Sequence, residues 1–155
     1  MVLKNILKNN DAVSVSVSFI LMFAITVIVF MATVLTFYSI SQNSERNAIQ
    51  ESFKLLGGGL AVRITGMDAL VNTIHTGGGS VNMLEYELSM PDSIAGKSYT
   101  VNITDDRIML EDETGGKFTV PLGISSNATG KIYSGAGIYQ LEFDNENNRM
   151  VIKEK

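Results

Sequence analysis

The chain has 155 residues, no cysteine and a formal net charge of −4 with only 12 Lys and Arg. This length predicts one domain, or one domain plus an anchor, and the lack of cysteine excludes disulfides, thiolate metal sites and cysteine nucleophiles. The thinly spread basic residues exclude the basic stripe of a nucleic-acid-binding surface, so no nucleic-acid partner is expected.

The first predicted element is an apolar segment preceded by two basic side chains. Lys4 and Lys8 lie in the first eleven residues, and no charged residue occurs from Ala12 to Ile40. Basic residues before an apolar segment hold that end in the cytoplasm. The sequence therefore predicts a cytoplasmic N-terminus and an extracellular C-terminal domain.

Three interpretations compete for this apolar segment. A secretory signal peptide has a short apolar core and a small-residue cleavage site after it, whereas the sequence after Ile40 reads SQNSERN. A plain anchor needs roughly 20 residues to cross a bilayer, and this segment would be about 43 Å long as a helix. The third interpretation, an apolar helix retained after removal of a leader, accounts for the extra length.

The residues DAVSVSVSFILMFAITVIVF resemble the class III signal and N-terminal helix of archaeal type IV pilins. More loosely, FKLLGGGLAVRITGMDALVN and YELSMPDSIAGKSYTVNI resemble a group of archaeal pilin-like proteins. The resemblance implies that a prepilin peptidase removes a leader, residues 1–12, at the junction of Ala12 and Val13. Two departures are Val15, where the family commonly has proline, and the absence of a basic residue two positions before the cut.

The same resemblance implies that the mature helix, residues 13–76, leaves the lipid and bundles with other copies or related subunits. Residues 13–40 would form the membrane segment and filament core. Small side chains permit close approach of helices, and the candidate assembly face comprises Ser14, Ser18, Ala24 and Ala32.

An amphipathic stretch follows the apolar segment. Apolar residues recur every three or four positions from Ile49 to Ile74, which predicts a helix packed on a sheet; Arg63 and Asp68 are among the polar residues that fall mainly off this stripe. Residues 57–59 are all glycine, which indicates close helix packing, a break into two helices, or a hinge. The single histidine, His75, precedes a second glycine run and is interpreted as part of a helix C-terminus.

From Met83 onward the apolar period changes to two, within a predicted extracellular β-domain of residues 80–155. Up to seven short strands separated by Gly, Asp and Asn turns predict an antiparallel sheet, sandwich or barrel. The predicted fold class is therefore α+β: a long N-terminal helix whose amphipathic part packs on a small antiparallel β-sheet or sandwich.

No constellation of catalytic residues is evident. Only His75 could serve as the usual catalytic base, and the sequence shows no evident partner for it. The acidic turns near Asp105 and Glu111 lack the spacing of a calcium loop. We expect no enzyme activity, no cofactor and no metal. Two N-x-[ST] sequons, at Asn102 and Asn127, are candidate glycosylation sites in the extracellular part.

The sequence thus predicts a structural subunit of an archaeal type IV pilus-like surface filament, whether a major pilin, a minor pilin or a pseudopilin. Its expected partners are the peptidase, other subunits, membrane lipid before assembly, and a surface-layer protein. The alternative is an uncleaved membrane-anchored β-sandwich that links the membrane or an appendage to the surface layer. A third class, a membrane-anchored enzyme or solute-binding module, lacks a supporting motif.

Overall fold

The computed structural model describes the backbone of residues 2–155 and the side chains of residues 14–155. The chain divides into two compact units, residues 1–44 and 45–155, which are described separately. One helix and seven strands follow in order: α1 (Val2–Thr76), β1 (Leu84–Ser89), β2 (Tyr99–Thr104), β3 (Arg107–Asp112), β4 (Lys117–Pro121), β5 (Asn127–Tyr133), β6 (Ile138–Asp144) and β7 (Arg149–Glu154).

Helix α1 is continuous because no proline interrupts it, and it ends at a glycine run. Gly78 adopts a φ of 79°, a left-handed conformation that glycine enters without steric cost. The amides of Gly77 and Gly79 donate to the carbonyls of Thr73 and Ile74, which satisfies acceptors at the helix end. The end predicted near His75 lies one residue from the observed end at Thr76.

The seven strands form a single sheet in the order β1-β6-β7-β5-β2-β3-β4. Five neighbouring pairs are antiparallel, and β5 with β7 is parallel, a pairing that the sequence did not predict. The α+β fold class is confirmed, and of the predicted alternatives for its β-part the structure has the sheet.

The core of the second unit lies between α1 and one face of this sheet. Strand residues alternate between buried and more exposed positions, as the period of two predicted. The largest fully buried side chains come from both elements: Phe53, Leu60, Ile64 and Val71 from the helix, and Leu88, Ile103, Ile108, Leu110, Ile132, Tyr139, Leu141 and Met150 from the strands.

Two glycines explain how closely the backbone elements approach. A methyl group added to Gly57 would lie 2.9 Å from side-chain atoms of both Leu110 and Val120, so this part of the glycine run permits close packing of α1 on β3 and β4. A methyl group on Gly130 would lie 2.7 Å from Cβ of Ile152, at the parallel β5–β7 pair. The helix runs unbroken through residues 57–59, so of the three interpretations of this glycine run the break into two helices is wrong.

Candidate functional surface: the apolar segment of the N-terminal helix

In the described part of the first unit, the apolar side chains of the helix are exposed and no other described residue buries them. Every described side chain from 14 to 44 is exposed except Val27, which is half-buried. Phe37 is 74% exposed and Phe19 is 71% exposed. A contiguous apolar surface of this extent marks a membrane or protein interaction site.

Length and composition match a membrane segment. Among the described residues, one helical stretch, Ser14–Thr76, is long and apolar enough to cross a membrane, and its qualifying 18-residue window has a mean hydropathy of 2.7 with none of it buried. The long N-terminal helix is therefore consistent with a membrane anchor.

Four hydroxyl groups in this segment bond to the helix itself. Each donates to the carbonyl four residues earlier, at 2.8–2.9 Å. Because these donors are satisfied within the helix, they can enter lipid or a helix bundle without losing a hydrogen bond to water. The four donors are Ser18, Thr26, Thr33 and Thr36.

The predicted assembly face is exposed at all four positions. At about 100° per residue, Ser14, Ser18 and Ala32 lie within about 40° of one another around the helix axis, and Ala24 lies about 80° from Ser14. Three of the four small residues therefore share one side of the helix. The predicted processing junction, Ala12 and Val13, and the topology residues Lys4 and Lys8 lie outside the residues whose side chains the structure describes.

The two sequons occupy different environments. Asn102 is exposed on β2, which is hydrogen-bonded on both sides, to β3 and to β5, and the next residue, Ile103, is 1% exposed. Asn127 is exposed at the first position of β5, directly after the loop 122–126. Glycosylation sequons typically lie in surface loops, and of the two asparagines only Asn127 directly follows a loop.

The carboxylates of Asp105 and Asp106 interact with donor groups of the protein itself. Asp105 accepts a hydrogen bond from the amide of Ala128 at 3.0 Å, and Asp106 binds Arg107, an interaction that lowers the pKa of Asp106 to about 2. Among residues 14–155, no group of three or more His, Cys, Asp and Glu side chains is arranged to hold a metal ion.

Asp112 closes the turn between β3 and β4. Its carboxylate accepts hydrogen bonds from the amides of Thr114 at 2.7 Å and Gly116 at 3.0 Å. Burial opposes its charged form, but the hydrogen bonds from Thr114 and Gly116 outweigh that effect and lower its pKa. Asp112 therefore has a turn-stabilising role that its sequence position did not reveal.

Asp68 is buried, although the sequence pattern grouped it with the polar residues that fall mainly off the apolar stripe. It lies on α1 but is only 5% exposed, and it accepts hydrogen bonds from the amides of Ser125 and Ser126, both at 2.9 Å. Asn72, one turn later on the helix, donates a third bond at 3.2 Å. Asp68 thus joins the helix to the loop that precedes β5. Because Ser125 and Ser126 are far from Asp68 in the chain, a local sequence pattern could not predict this contact.

A second contact joins the helix to the edge of the sheet. The guanidinium carbon of Arg63 lies 5.2 Å from the ring centre of Tyr86 on β1, a cation–π geometry. His75 lies at the helix end as predicted, with its ring centre 6.4 Å from that of Phe143. These contacts, together with Asp68, hold the C-terminal part of α1 on the sheet.

Comparison with known families identifies the family of the chain. The chain belongs to a family of unknown function, DUF7266, whose model matches residues 8–153. The match covers both the apolar segment and the sheet, so the family comprises both parts. No curated protein and no solved structure matches the chain.

Proposed function

We propose that this protein is a structural subunit of an archaeal type IV pilus-like surface filament, assembled through the apolar segment of α1. The observation that carries the proposal is the uncovered apolar surface of residues 14–44 on the same helix that packs on the β-sheet. Burial of such a surface against other helices would replace its contact with lipid.

The proposed pathway begins in the membrane. The N-terminus with Lys4 and Lys8 faces the cytoplasm, and the sheet domain lies outside the cell. A prepilin peptidase cuts between Ala12 and Val13, and the freed helix then joins a bundle of like helices. The resemblance of DAVSVSVSFILMFAITVIVF to archaeal pilins supports this order of events.

The length of the apolar segment supports retention in a bundle. Residues 14–40 would be about 40 Å long, against about 30 Å for the hydrocarbon core of a bilayer. Satisfied hydroxyl groups at Ser18 and Thr36 allow the polar positions to face a neighbouring helix. In the filament, the sheet domain would form the outer surface, with N-glycosylation at Asn127 and not at Asn102.

The N-terminal sequence of the mature protein tests the processing step. We expect Val13 as the first residue when the chain is expressed with the peptidase, and Met1 when the peptidase is deleted. Ala12→Phe should block the cut because a bulky side chain replaces a small one at the junction, whereas Val2→Phe should leave it unchanged. Met1 retained in cells that contain the peptidase would instead support the uncleaved anchor that links the membrane to the surface layer.

A tryptic peptide map tests the glycosylation step. Asn127→Gln should remove a glycan mass from the peptide that spans residue 127, and Asn102→Gln should remove none. A glycan found on Asn102 instead would contradict the preference for the asparagine that follows a loop.

A further inference from the structure

The backbone around the Asn127 sequon is held by four consecutive hydrogen bonds, donated by the amides of residues 125–128. The first two amides donate to the two carboxylate oxygens of Asp68, both at 2.9 Å. The amide of Asn127 donates to the carbonyl of Asn148 at 3.2 Å, and the fourth amide donates to the carboxylate of Asp105 at 3.0 Å. The acceptors lie on α1, in the β6–β7 turn and in the β2–β3 turn, so three separate parts of the chain fix this segment.

Burial on both sides of the acceptor adds to this restraint. The side chain of Asn127 is exposed, but Ser126 before it is 3% exposed and Ala128 after it is 1% exposed. A glycosyl-transferring enzyme must hold the acceptor nitrogen next to its sugar donor within its own cleft. Because the neighbouring residues are buried, the segment cannot enter such a cleft while residues 125–128 keep their places.

The start of β5 is a part of the sheet that can open by itself. Residues 127–129 pair on one side only, with β7 in parallel register, because the pairing of β5 with β2 begins at Gly130. Parallel pairing is slightly less stable per residue than antiparallel pairing. Segments with fewer partners open locally at a lower free energy than the whole fold, so residues 122–129 can be released while the other strands stay paired.

The Asn102 sequon has no such route. Asn102 pairs with Met109 of β3 and with Lys131 of β5, and Ile103, inside the sequon, is 1% exposed. Release of this segment would separate β2 from both of its neighbours and divide the sheet. A glycan on Asn102 therefore reports opening of the whole sheet, whereas a glycan on Asn127 requires only local opening.

We propose that Asn127 is glycosylated in a locally open form of the folded domain, and that the carboxylate of Asp68 controls how often this form occurs. The proposal rests on the glycosylation of Asn127 proposed above and names the residue that regulates it. Asp68 is a positioning residue, since it holds the amides of Ser125 and Ser126 and takes no part in the transfer. Hydrogen bonds to a charged acceptor are stronger than neutral ones, and Asp68 supplies more of them to this segment than any other described residue.

The transfer step uses a sugar carried on a lipid phosphate. A bond forms between Nδ2 of Asn127 and the anomeric carbon of the sugar, and the bond between that carbon and the phosphate oxygen breaks. The lipid phosphate leaves with the electron pair of the broken bond, and Nδ2 loses one proton to water. The step involves no oxidation or reduction, so the folded chain influences it through access to Nδ2.

Site-specific transfer rates on the folded full-length chain test the proposal. The unglycosylated chain is purified in detergent from cells without an oligosaccharyltransferase. It is then mixed with membranes that contain an archaeal oligosaccharyltransferase and its lipid-linked sugar. Trypsin separates the two sequons, because residues 98–107 and residues 118–131 form different peptides. Mass spectrometry of both peptides over time gives the initial transfer rate at each asparagine.

The Asp68 variants should raise the rate at one sequon only. We expect Asp68→Ala to raise the initial rate at Asn127 roughly tenfold or more, because transfer follows the population of the open form when opening is fast. Asp68→Asn should give an intermediate rate, since the amide has a single acceptor oxygen for the two backbone donors. The rate at Asn102 should stay at its native value in both variants, because the rest of the sheet remains paired.

Asp112→Ala is the matched control. Asp112 is also a buried carboxylate, 8% exposed, and it accepts hydrogen bonds from two backbone amides, those of Thr114 and Gly116. It lies at the end of β3 that is far from Asp105. Its loss opens a different turn, so the rate at Asn127 should change by less than about twofold.

The outcomes separate the control by Asp68 from the glycosylation itself. Equal rates at Asn127 in the native chain and in Asp68→Ala would overturn the control and leave glycosylation of Asn127 standing. A rise that also occurs at Asn102, or that Asp112→Ala reproduces, would indicate general unfolding and overturn the local opening. Absence of a glycan on Asn127 in every variant and in cells would overturn the glycosylation, and the control by Asp68 with it.

Discussion

Removal of the Asp68 carboxylate should loosen the attachment of α1 to the sheet. In Asp68→Ala, the amides of Ser125 and Ser126 lose their acceptor while Ser126 remains in a buried position, 3% exposed in the native chain. A hydrogen bond to a charged group contributes about 1.5–3 kcal/mol, so the loss of two should lower the free energy of unfolding by about 3 to 6 kcal/mol. That is a large part of the roughly 5 to 15 kcal/mol that stabilises a small domain.

Urea denaturation of the full chain in detergent measures this loss, and near-ultraviolet circular dichroism of the tyrosines monitors the unfolding. Tyr99 and Tyr139 are 3% and 1% exposed, so their signal reports the packed sheet. Asn72→Ala is the control, because it removes one bond of 3.2 Å to the same carboxylate and should cost about 1 kcal/mol or less. A free energy of unfolding for Asp68→Ala within about 1 kcal/mol of the native value would refute the argument that Asp68 fastens the loop to the helix.

Three further predictions concern the sheet and its turns. Gly130→Ala should lower the free energy of unfolding by about 1 to 3 kcal/mol in the same assay, because its methyl group would lie 3.2 Å from backbone atoms of Ile152; Gly123→Ala, which meets nothing within 4 Å, is the control. Burial raises the pKa of Tyr99 to about 12, so the stability due to its protonated form is complete below about pH 10 and is lost as the pH rises from about 10 to 12, by about 2 to 3 kcal/mol. Tyrosinate absorbance should show a late titration from Tyr99 that Tyr99→Phe removes, and an unchanged titration curve in that variant would contradict the assignment. Ala95→Gly should raise the unfolding free energy by about 0.5 to 1 kcal/mol, since Ala95 has a φ of 51°, and an unchanged or lower value would show that this turn is not strained.

The local patterns of the sequence predicted most of the architecture. The three-and-four spacing from Ile49 onward identified the helix face that packs on the sheet, because such spacing follows directly from helical geometry. Period-two alternation identified the strands, and the glycine run after Thr76 marked the helix end. Each of these features depends on residues close together in the chain.

The parts that the sequence did not predict depend on distant residues. The parallel pairing of β5 with β7 follows from how the strands are arranged in space, and no alternation pattern distinguishes it from an antiparallel pair. Asp68 appeared to be a polar residue off the stripe because its partners, Ser125 and Ser126, lie far along the chain. Gly57 could be separated from Gly58 and Gly59 only after Leu110 and Val120 were seen beside it.

The most direct test of the filament function combines shearing with mass spectrometry. Surface appendages are sheared from cells that express the chain with the peptidase, and the intact mass of the recovered subunit is measured. We predict recovery of the chain beginning at Val13, with loss from the sheared fraction when the peptidase is deleted. A chain that stays in the membrane fraction with residues 1–12 attached, in cells that contain the peptidase, would contradict the proposal.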